Sequence, residues 1–127
     1  MAALSNPKPI LAVYGDAVPT LDEVRIEELC LSVNGPTLRL RFDLSKFPIN
    51  PPDKWRRDGL DVVQVEIAFG GLRGISIDGF SVDSICDLKI RKDGVVSFSS
   101  ESESVNLRGV ADTATILRVS AYAMGCA

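Results

Sequence analysis

The seven prolines of this chain all lie within its first 52 residues. Proline has no backbone N–H to donate, so within a sheet it is confined to edges, first strand positions and bulges. Every residue after Pro52 can therefore donate to a continuous hydrogen-bonded sheet. Valine and isoleucine, which favour pleated strands, number 22 in the whole chain. The distribution predicts that the chain is mostly sheet and that its irregular segments lie early.

The length of 127 residues suits one domain, residues 1–127. Its hydrophobic share of 46% and charged share of 24% are ordinary for a folded globular protein. Pro7 and Pro9 predict an irregular N-terminal arm over residues 1–18, followed by a β domain over residues 19–123.

The first hairpin is predicted at Asn34-Gly35, the preferred dipeptide of a two-residue type I′ turn. Pairing across it aligns apolar side chains on one face: Leu31 with Leu38 and Leu29 with Leu40. Farther from the turn, the apolar positions of the first strand fall out of step by one residue. A β-bulge near Glu27-Glu28 restores the alternation. The competing interpretation is a helix capped at Thr20, and a single helical turn there stays open.

The later strands follow from strict alternation and from glycine turns. Apolar residues occupy every second position over residues 63–69, and Gly70-Gly71 predicts a turn into a return strand with Ile75 and Ile77. A loop at residues 92–94 predicts another hairpin, in which Ile90 pairs with Val96 and Leu88 with Phe98. A polar serine loop is expected over residues 99–104, and two last strands over residues 105–110 and 114–123.

These elements predict an all-β fold of antiparallel strands joined by hairpins, with at most a short helical turn. The pattern leaves open whether the strands form a sandwich or one strongly curled sheet. The segment 47–60 interrupts the strands and holds the single tryptophan, Trp55.

The sequence lacks the residues or motifs that several kinds of catalytic and ligand-binding site require. The chain has no histidine, which excludes histidine-based triads and His/Cys zinc sites. It holds no P-loop or dinucleotide fingerprint, and no metal-ligand spacing. We therefore expect no enzyme activity, no cofactor and no metal. Cys30, Cys86 and Cys126 are too few and too scattered for a disulfide framework and indicate reduced thiols in the cytoplasm.

The charges are unevenly distributed along the chain, whose formal net charge is −3. Six basic and two acidic residues lie within residues 39–57, whereas residues 58–87 hold six acidic residues and one basic. A solvated surface of mixed sign explains this distribution; the alternative is an acidic face for a basic protein partner. That hypothesis marks four candidate contact residues: Asp78, Asp83, Glu101 and Glu103. Neither nucleic acid nor an anionic membrane is expected to bind.

Trp55 has two interpretations. Its ring can cover the apolar face of the sheet, or it can anchor a partner, because tryptophan and arginine are enriched at binding hot spots. In the second case Asp53 and Arg56 form the polar rim around it.

Four segments together resemble one known family. They are residues 35–44 (GPTLRLRFDL), residues 51–55 (PPDKW), residues 62–69 (VVQVEIAF) and Gly79-Phe80. Over roughly Pro19 to Tyr122 the chain resembles the immunity protein 50 family of bacterial polymorphic toxin systems. The resemblance implies a non-catalytic antitoxin that binds and inhibits a cognate toxin, which the acidic second half of the chain suggests is basic and nuclease-like. The alternative is a non-catalytic β module that acts as a structural or ligand-binding subunit.

Overall fold

A computed structural model describes residues 21–45, 47–48, 51–79, 85–102 and 105–123. Within them the chain forms eight strands and one short helix. In chain order these are β1 Val24–Ser32, β2 Thr37–Asp43, α1 Asp53–Arg57, β3 Val62–Gly70, β4 Gly74–Asp78, β5 Ile85–Asp93, β6 Val95–Glu101, β7 Asn106–Ala111 and β8 Thr113–Tyr122. The arm predicted over residues 1–18 lies outside the described residues.

All eight strands belong to one open antiparallel sheet in the order β4-β7-β6-β5-β1-β2-β3-β8. The centre of the sheet is narrow, because β1 and β5 pair only at Val24–Cys86 and Arg25–Ile85. This junction divides the sheet into a first half (β1, β2, β3, β8) and a second half (β5, β6, β7, β4). The predicted all-β antiparallel class is confirmed.

The two halves pack against each other around one hydrophobic core. The rings of Phe69 in β3 and Phe98 in β6 stack with their centroids 4.1 Å apart. Gly109 in β7 lies directly against Phe98, and a Cβ added at this glycine would overlap the ring. The alternation predicted for β3 is confirmed, since its four core-facing side chains are fully buried: Val63, Val65, Ile67 and Phe69.

The first hairpin has the predicted register but not the predicted turn. Leu31 pairs with Leu38, Leu29 pairs with Leu40, and the register shifts at the expected bulge. The ladder ends at the Ser32–Thr37 pair, so residues 33–36 form the connection. A type I′ turn needs positive φ at both central residues. Gly35 has φ +67°. Asn34 does not have a positive φ, since Glu23 is the one described non-glycine residue that does. The prediction of a two-residue turn is therefore wrong. The ladder between β1 and β2 stops short of it because Pro36 has no N–H to donate.

The return strand predicted after Gly70-Gly71 does not pair with β3. Both edges of β3 are occupied, by β2 on one side and β8 on the other. β4 instead pairs with β7 at the far edge of the second half. Backbone hydrogen bonds guide this crossover: the Leu72 N–H donates to the Pro36 carbonyl at 2.8 Å, and the Arg73 N–H donates to the Val110 carbonyl at 2.7 Å.

The β5–β6 hairpin is also shifted from its predicted register. Asp93 pairs with Val95 across Gly94, so Ile90 lies opposite Phe98 and not opposite Val96. A shift of two residues keeps every side chain on its predicted face. The polar loop expected from residue 99 begins later, because β7 pairs along β6 as far as Ser100 and so extends the strand.

The single described helix, α1, lies in the proline-rich segment and not at Thr20, which is outside the described residues. The N–H groups of Trp55 and Arg56 both donate to the Pro52 carbonyl. Pro52 has φ −52° and so presets the direction of the first turn. Gly59, with φ +67°, ends the turn.

Candidate partner-binding surface

Strand pairing places the first residues of the odd-numbered strands beside the last residues of the even-numbered strands. These strand ends form one line across the sheet, which passes through the β1–β5 junction. In the first half this line passes Arg25, Asp43, Gln64 and Ser120, which pair in succession. In the second half it passes Asp78, Asn106, Glu101 and Asp87. We call these last four residues the acidic row.

The acidic row brings together two of the four predicted acidic contact residues. Asp78 pairs with Asn106, Asp87 pairs with Glu101, and Glu101 is one step beyond the Ser100–Leu107 pair. Neighbouring strands are about 4.8 Å apart, so three carboxylate-bearing positions fall within about 15 Å. The Asp87 carboxylate also accepts the Glu23 N–H at 3.0 Å, which attaches the start of β1 to the row. Asp83 and Glu103 lie outside the described residues.

Helix α1 lies beside the same line in the first half. The helix ends at Arg57, and shortly after it the Asp61 N–H donates to the carbonyl of Tyr122 at the end of β8. Trp55 is half-buried, packs against the core and has its ring centroid 6.1 Å from that of Phe47. Its ring therefore covers the apolar core, which was one of its two predicted roles.

The other two residues predicted beside Trp55 are exposed. Asp53 and Arg56 lie on α1 with their side chains in solvent. The structure thus brings the three predicted residues onto one helix, with the tryptophan turned inward and the charged pair outward. An exposed charged pair next to an inward aromatic is compatible with a contact rim, and with a solvated surface.

A polar cluster around Asp43 was not found from the sequence. Asp43 is only 4% exposed. Its carboxylate accepts hydrogen bonds from Gln64 Nε2 at 3.1 Å and from the Tyr122 hydroxyl. Burial, followed by the hydrogen bond and the negative charge of Asp43, raises the pKa of the Tyr122 hydroxyl.

Glu27 completes this cluster. It is the extra residue of the β1 bulge, and burial together with the nearby Asp43 raises the pKa of its carboxyl group. The bulge was predicted from the sequence and was the available signal for this cluster. An extra residue in one strand places an additional side chain beside the partner strand.

The basic residues predicted to precede the acidic half are largely paired where they lie in strands. On the outer face of the first half, Arg39 Nε lies 3.0 Å from a Glu66 carboxylate oxygen, and Arg41 lies 3.4 Å from Glu28. Linear counting of charge missed these partners, because they come from neighbouring strands. This face therefore carries a ladder of alternating charge with little net field.

The outer face of the second half contains a groove of about 560 Å³. Its lining includes small outward residues (Gly74, Ser76, Ser97 and Ser99) together with Arg108 and Val110. The nearest outward residues of the groove lie two residues along the strands from the acidic row.

The described residues hold no cluster of three potential metal ligands. None of the described helical residues forms a segment long and apolar enough to cross a membrane. Cys30 is half-buried and Cys86 buried, and both are free thiols. Burial raises the pKa of the Cys86 thiol, which keeps it protonated and weakly nucleophilic.

With this geometry in place, comparison with known proteins gives one match. The family model of immunity protein 50 matches residues 6–122, nearly the whole chain. The chain belongs to the immunity protein 50 family. No curated protein and no solved structure matches it. The resemblance inferred from the PPDKW segment and the strand after it is confirmed, and membership of the immunity protein 50 family points to an immunity role.

Proposed function

We propose that this member of the immunity protein 50 family is the antitoxin of a bacterial polymorphic toxin system. It binds its cognate toxin domain in the cytoplasm and neutralises it without catalysis. The observation that carries the proposal is the family match over residues 6–122. The absence of histidine from the chain supports a role through binding, because the usual general base near neutral pH is missing.

We further propose that the toxin is basic and nuclease-like and that it docks along the line of strand ends. The acidic row gives this surface three carboxylate-bearing positions among its four strand ends. Opposite fields on two partners raise the rate of association. Asp83 and Glu103 are proposed to add to the same charge, and Asp53, Trp55 and Arg56 to form a second contact on α1.

The direct test is growth rescue. The protein is used to capture partners from its native cells, and the captured toxin domain is expressed in a bacterial host with and without this chain. The toxin alone should stop growth, and co-expression should restore it. Growth arrest that persists with both proteins present, at matched levels of folded protein, would contradict the antitoxin proposal.

The alternative is a structural or ligand-binding β module. The observation that favours it is the position of the ten-residue strand β8 at the end of the sheet order, where β3 is its one strand partner among the described residues. An unpaired strand edge is a template for pairing with another chain. Sedimentation of the purified chain separates the two proposals: a stable homo-oligomer, with no toxin rescued, would favour the structural module.

A further inference from the structure

Ile85 is an exposed apolar side chain at the middle of the line of strand ends. It is the first residue of β5 and pairs with Arg25 of β1 at the narrow junction, which has four strands of the sheet on each side. Its exposed fraction is 46%. Single exposed apolar residues are common on soluble proteins. The meaning of Ile85 therefore depends on its surroundings.

The side chain of Ile85 lies on the outer face of the sheet. Cys86, the next residue, is buried in the core, and successive side chains of a strand point to opposite faces. Asp87 is exposed on the same outer face, two residues along β5 and about 7 Å away. Ile77, which precedes Asp78, pairs with the buried Leu107 and so lies on the core-facing side. Of these two exposed isoleucines, Ile85 is the one that shares its face with the acidic row.

The charges around Ile85 favour a basic neighbour. On one side lies the acidic row, in which Asp87 and Asp78 are both exposed. On the other side Arg25 Nε lies 3.9 Å from a carboxylate oxygen of Glu27, so the positive charge beside Ile85 is partly balanced. This apolar side chain bordered by carboxylates is complementary to an apolar side chain bordered by cations.

Apolar contacts and charges contribute differently to a complex. Charges at the rim of an interface act mainly on the rate of encounter, whereas buried apolar contacts near its centre exclude water and slow dissociation. The acidic row by itself would give fast association with a short lifetime. Ile85 offers an apolar contact at the centre of the same line.

We propose that Ile85 is the central apolar contact of the toxin-docking surface. The toxin places an apolar side chain against Ile85 and basic side chains over Asp87 and Asp78. This inference rests on the proposed antitoxin function, and it defines the toxin surface as an apolar residue within a basic border. The line of strand ends thus recognises that combination and not basic charge alone.

The surface is tested without the toxin by an NMR titration of the whole chain. The probe is a blocked tripeptide of lysine, leucine and lysine, and its control has serine in place of leucine. The amide signals of Ile85 and Asp87 should shift, and the leucine peptide should bind about threefold or more tightly than the serine peptide, as expected for partial burial of its side chain. Ile85→Thr keeps the β-branched shape and should abolish this preference. Leu117→Thr, at a residue 52% exposed in β8, should retain it.

Equal affinity of the two peptides, no binding, or a leucine preference that survives Ile85→Thr would overturn the apolar contact. The captured toxin domain is then assayed with variants whose folding is checked by thermal unfolding. Ile85→Thr should raise the dissociation rate about tenfold and leave the association rate within about twofold. Ile85→Val, which removes one methylene group, should raise the dissociation rate about threefold.

The toxin assay separates this inference from the function on which it rests. An unchanged dissociation rate with Ile85→Thr would reject Ile85 as a toxin contact and leave the antitoxin function intact. Failure of the unmodified chain to bind any toxin would reject the antitoxin function and the toxin as occupant together, whereas the peptide titration decides the surface by itself.

Discussion

Asp43 shows how a single buried carboxylate is accommodated in a small sheet protein. Burial of a charge is costly unless hydrogen bonds compensate it. Here Gln64 and Tyr122, from the two strands beyond β2, both donate to its oxygens. The cluster therefore joins β2, β3 and β8 by side chains as well as by the ladder.

Tyr122→Phe is expected to lower the free energy of unfolding by about 1.5 kcal/mol, because a hydrogen bond to a charged group is worth about 1.5–3 kcal/mol. Urea denaturation at neutral pH measures the change. Ser120→Ala, on the same strand two residues away, is the matched control and should change stability by less than about 0.5 kcal/mol. Equal effects of the two variants would show that Tyr122 does not support Asp43.

Glu27 predicts a specific pH dependence. Burial and Asp43 raise its pKa above the ordinary 4.5, while Arg25 and Arg41 oppose the shift. The folded state then binds this proton more tightly than the unfolded state. The resulting stabilisation is fully present below pH 4.5 and is lost as the pH rises through the raised pKa.

Glu27→Gln removes that dependence. The free energy of unfolding of the variant, relative to the unmodified chain, should therefore increase as the pH is raised from about 4 to about 8. Urea titrations at several pH values measure this difference, in which the titrations of the other carboxylates cancel. A difference that is flat or falls with pH would mean that the folded state does not raise the pKa of Glu27.

Gly109→Ala is expected to be costly. The new Cβ would overlap the Phe98 ring, which stacks on Phe69. Overpacking of this kind costs about 1–3 kcal/mol. Gly74→Ala is the control: no atom lies within 4 Å of its added Cβ, so thermal unfolding should change little. Similar melting temperatures for the two variants would contradict the close packing at Phe98.

At the scale of elements, the local sequence pattern was sufficient to predict the register of some strands and not of others. The register of β1 with β2 and its bulge follow from which residues must face the core, because a slip of one residue moves every side chain to the wrong face. A slip of two residues carries no such penalty. The β5–β6 register was therefore wrong by two, although each side chain was assigned to its correct face.

The partner of β4 could not be predicted locally. Gly70-Gly71 and the apolar pair Ile75 and Ile77 are compatible with a hairpin, and nothing in their sequence shows that both edges of β3 are occupied. Occupancy is decided by β8, more than thirty residues later. The candidate site shows the same division. Asp78 and Glu101 were proposed from charge along the sequence, whereas the ion pairs of Arg39 and Arg41 depend on neighbouring strands.

Helix α1 depends on the aromatic contact between Trp55 and Phe47. A helix of five residues is not stable by itself, and Trp55 attaches it to Phe47 and the core. Trp55→Ala should lower the free energy of unfolding by about 2–3 kcal/mol, somewhat less than for a fully buried aromatic.

Arg56→Ala, on the exposed side of α1, should change stability by less than about 0.5 kcal/mol. Denaturation and toxin affinity measured on the same two variants separate structure from binding. If Trp55→Ala left stability unchanged and weakened toxin binding, the tryptophan would be a contact residue and not part of the core.

At the scale of the whole molecule, the two outer faces differ in how their charge is arranged. The first half pairs its arginines with glutamates across strands, so its field largely cancels. The second half instead separates its charges, because three carboxylate-bearing positions lie in the acidic row at one end of its strands. Only a separated pattern can orient a charged partner before contact. The second half is therefore the face that should govern the association rate.

Reversal of the charge of the acidic row is therefore expected to slow association. In the variant that combines Asp78→Lys and Glu101→Lys, the association rate with a basic toxin should fall about tenfold at low salt, because long-range attraction is replaced by repulsion. The dissociation rate should change much less, since charges at the rim of an interface act mainly on encounter. Asp93→Lys, at the opposite end of β5, is the control and should retain most of the unmodified rate.

Stopped-flow measurements over a range of salt concentrations test the cause: the difference between the variant and the unmodified chain should shrink as the Debye length falls. A difference that persists at high salt would mean that these residues act through direct contacts and not through their field.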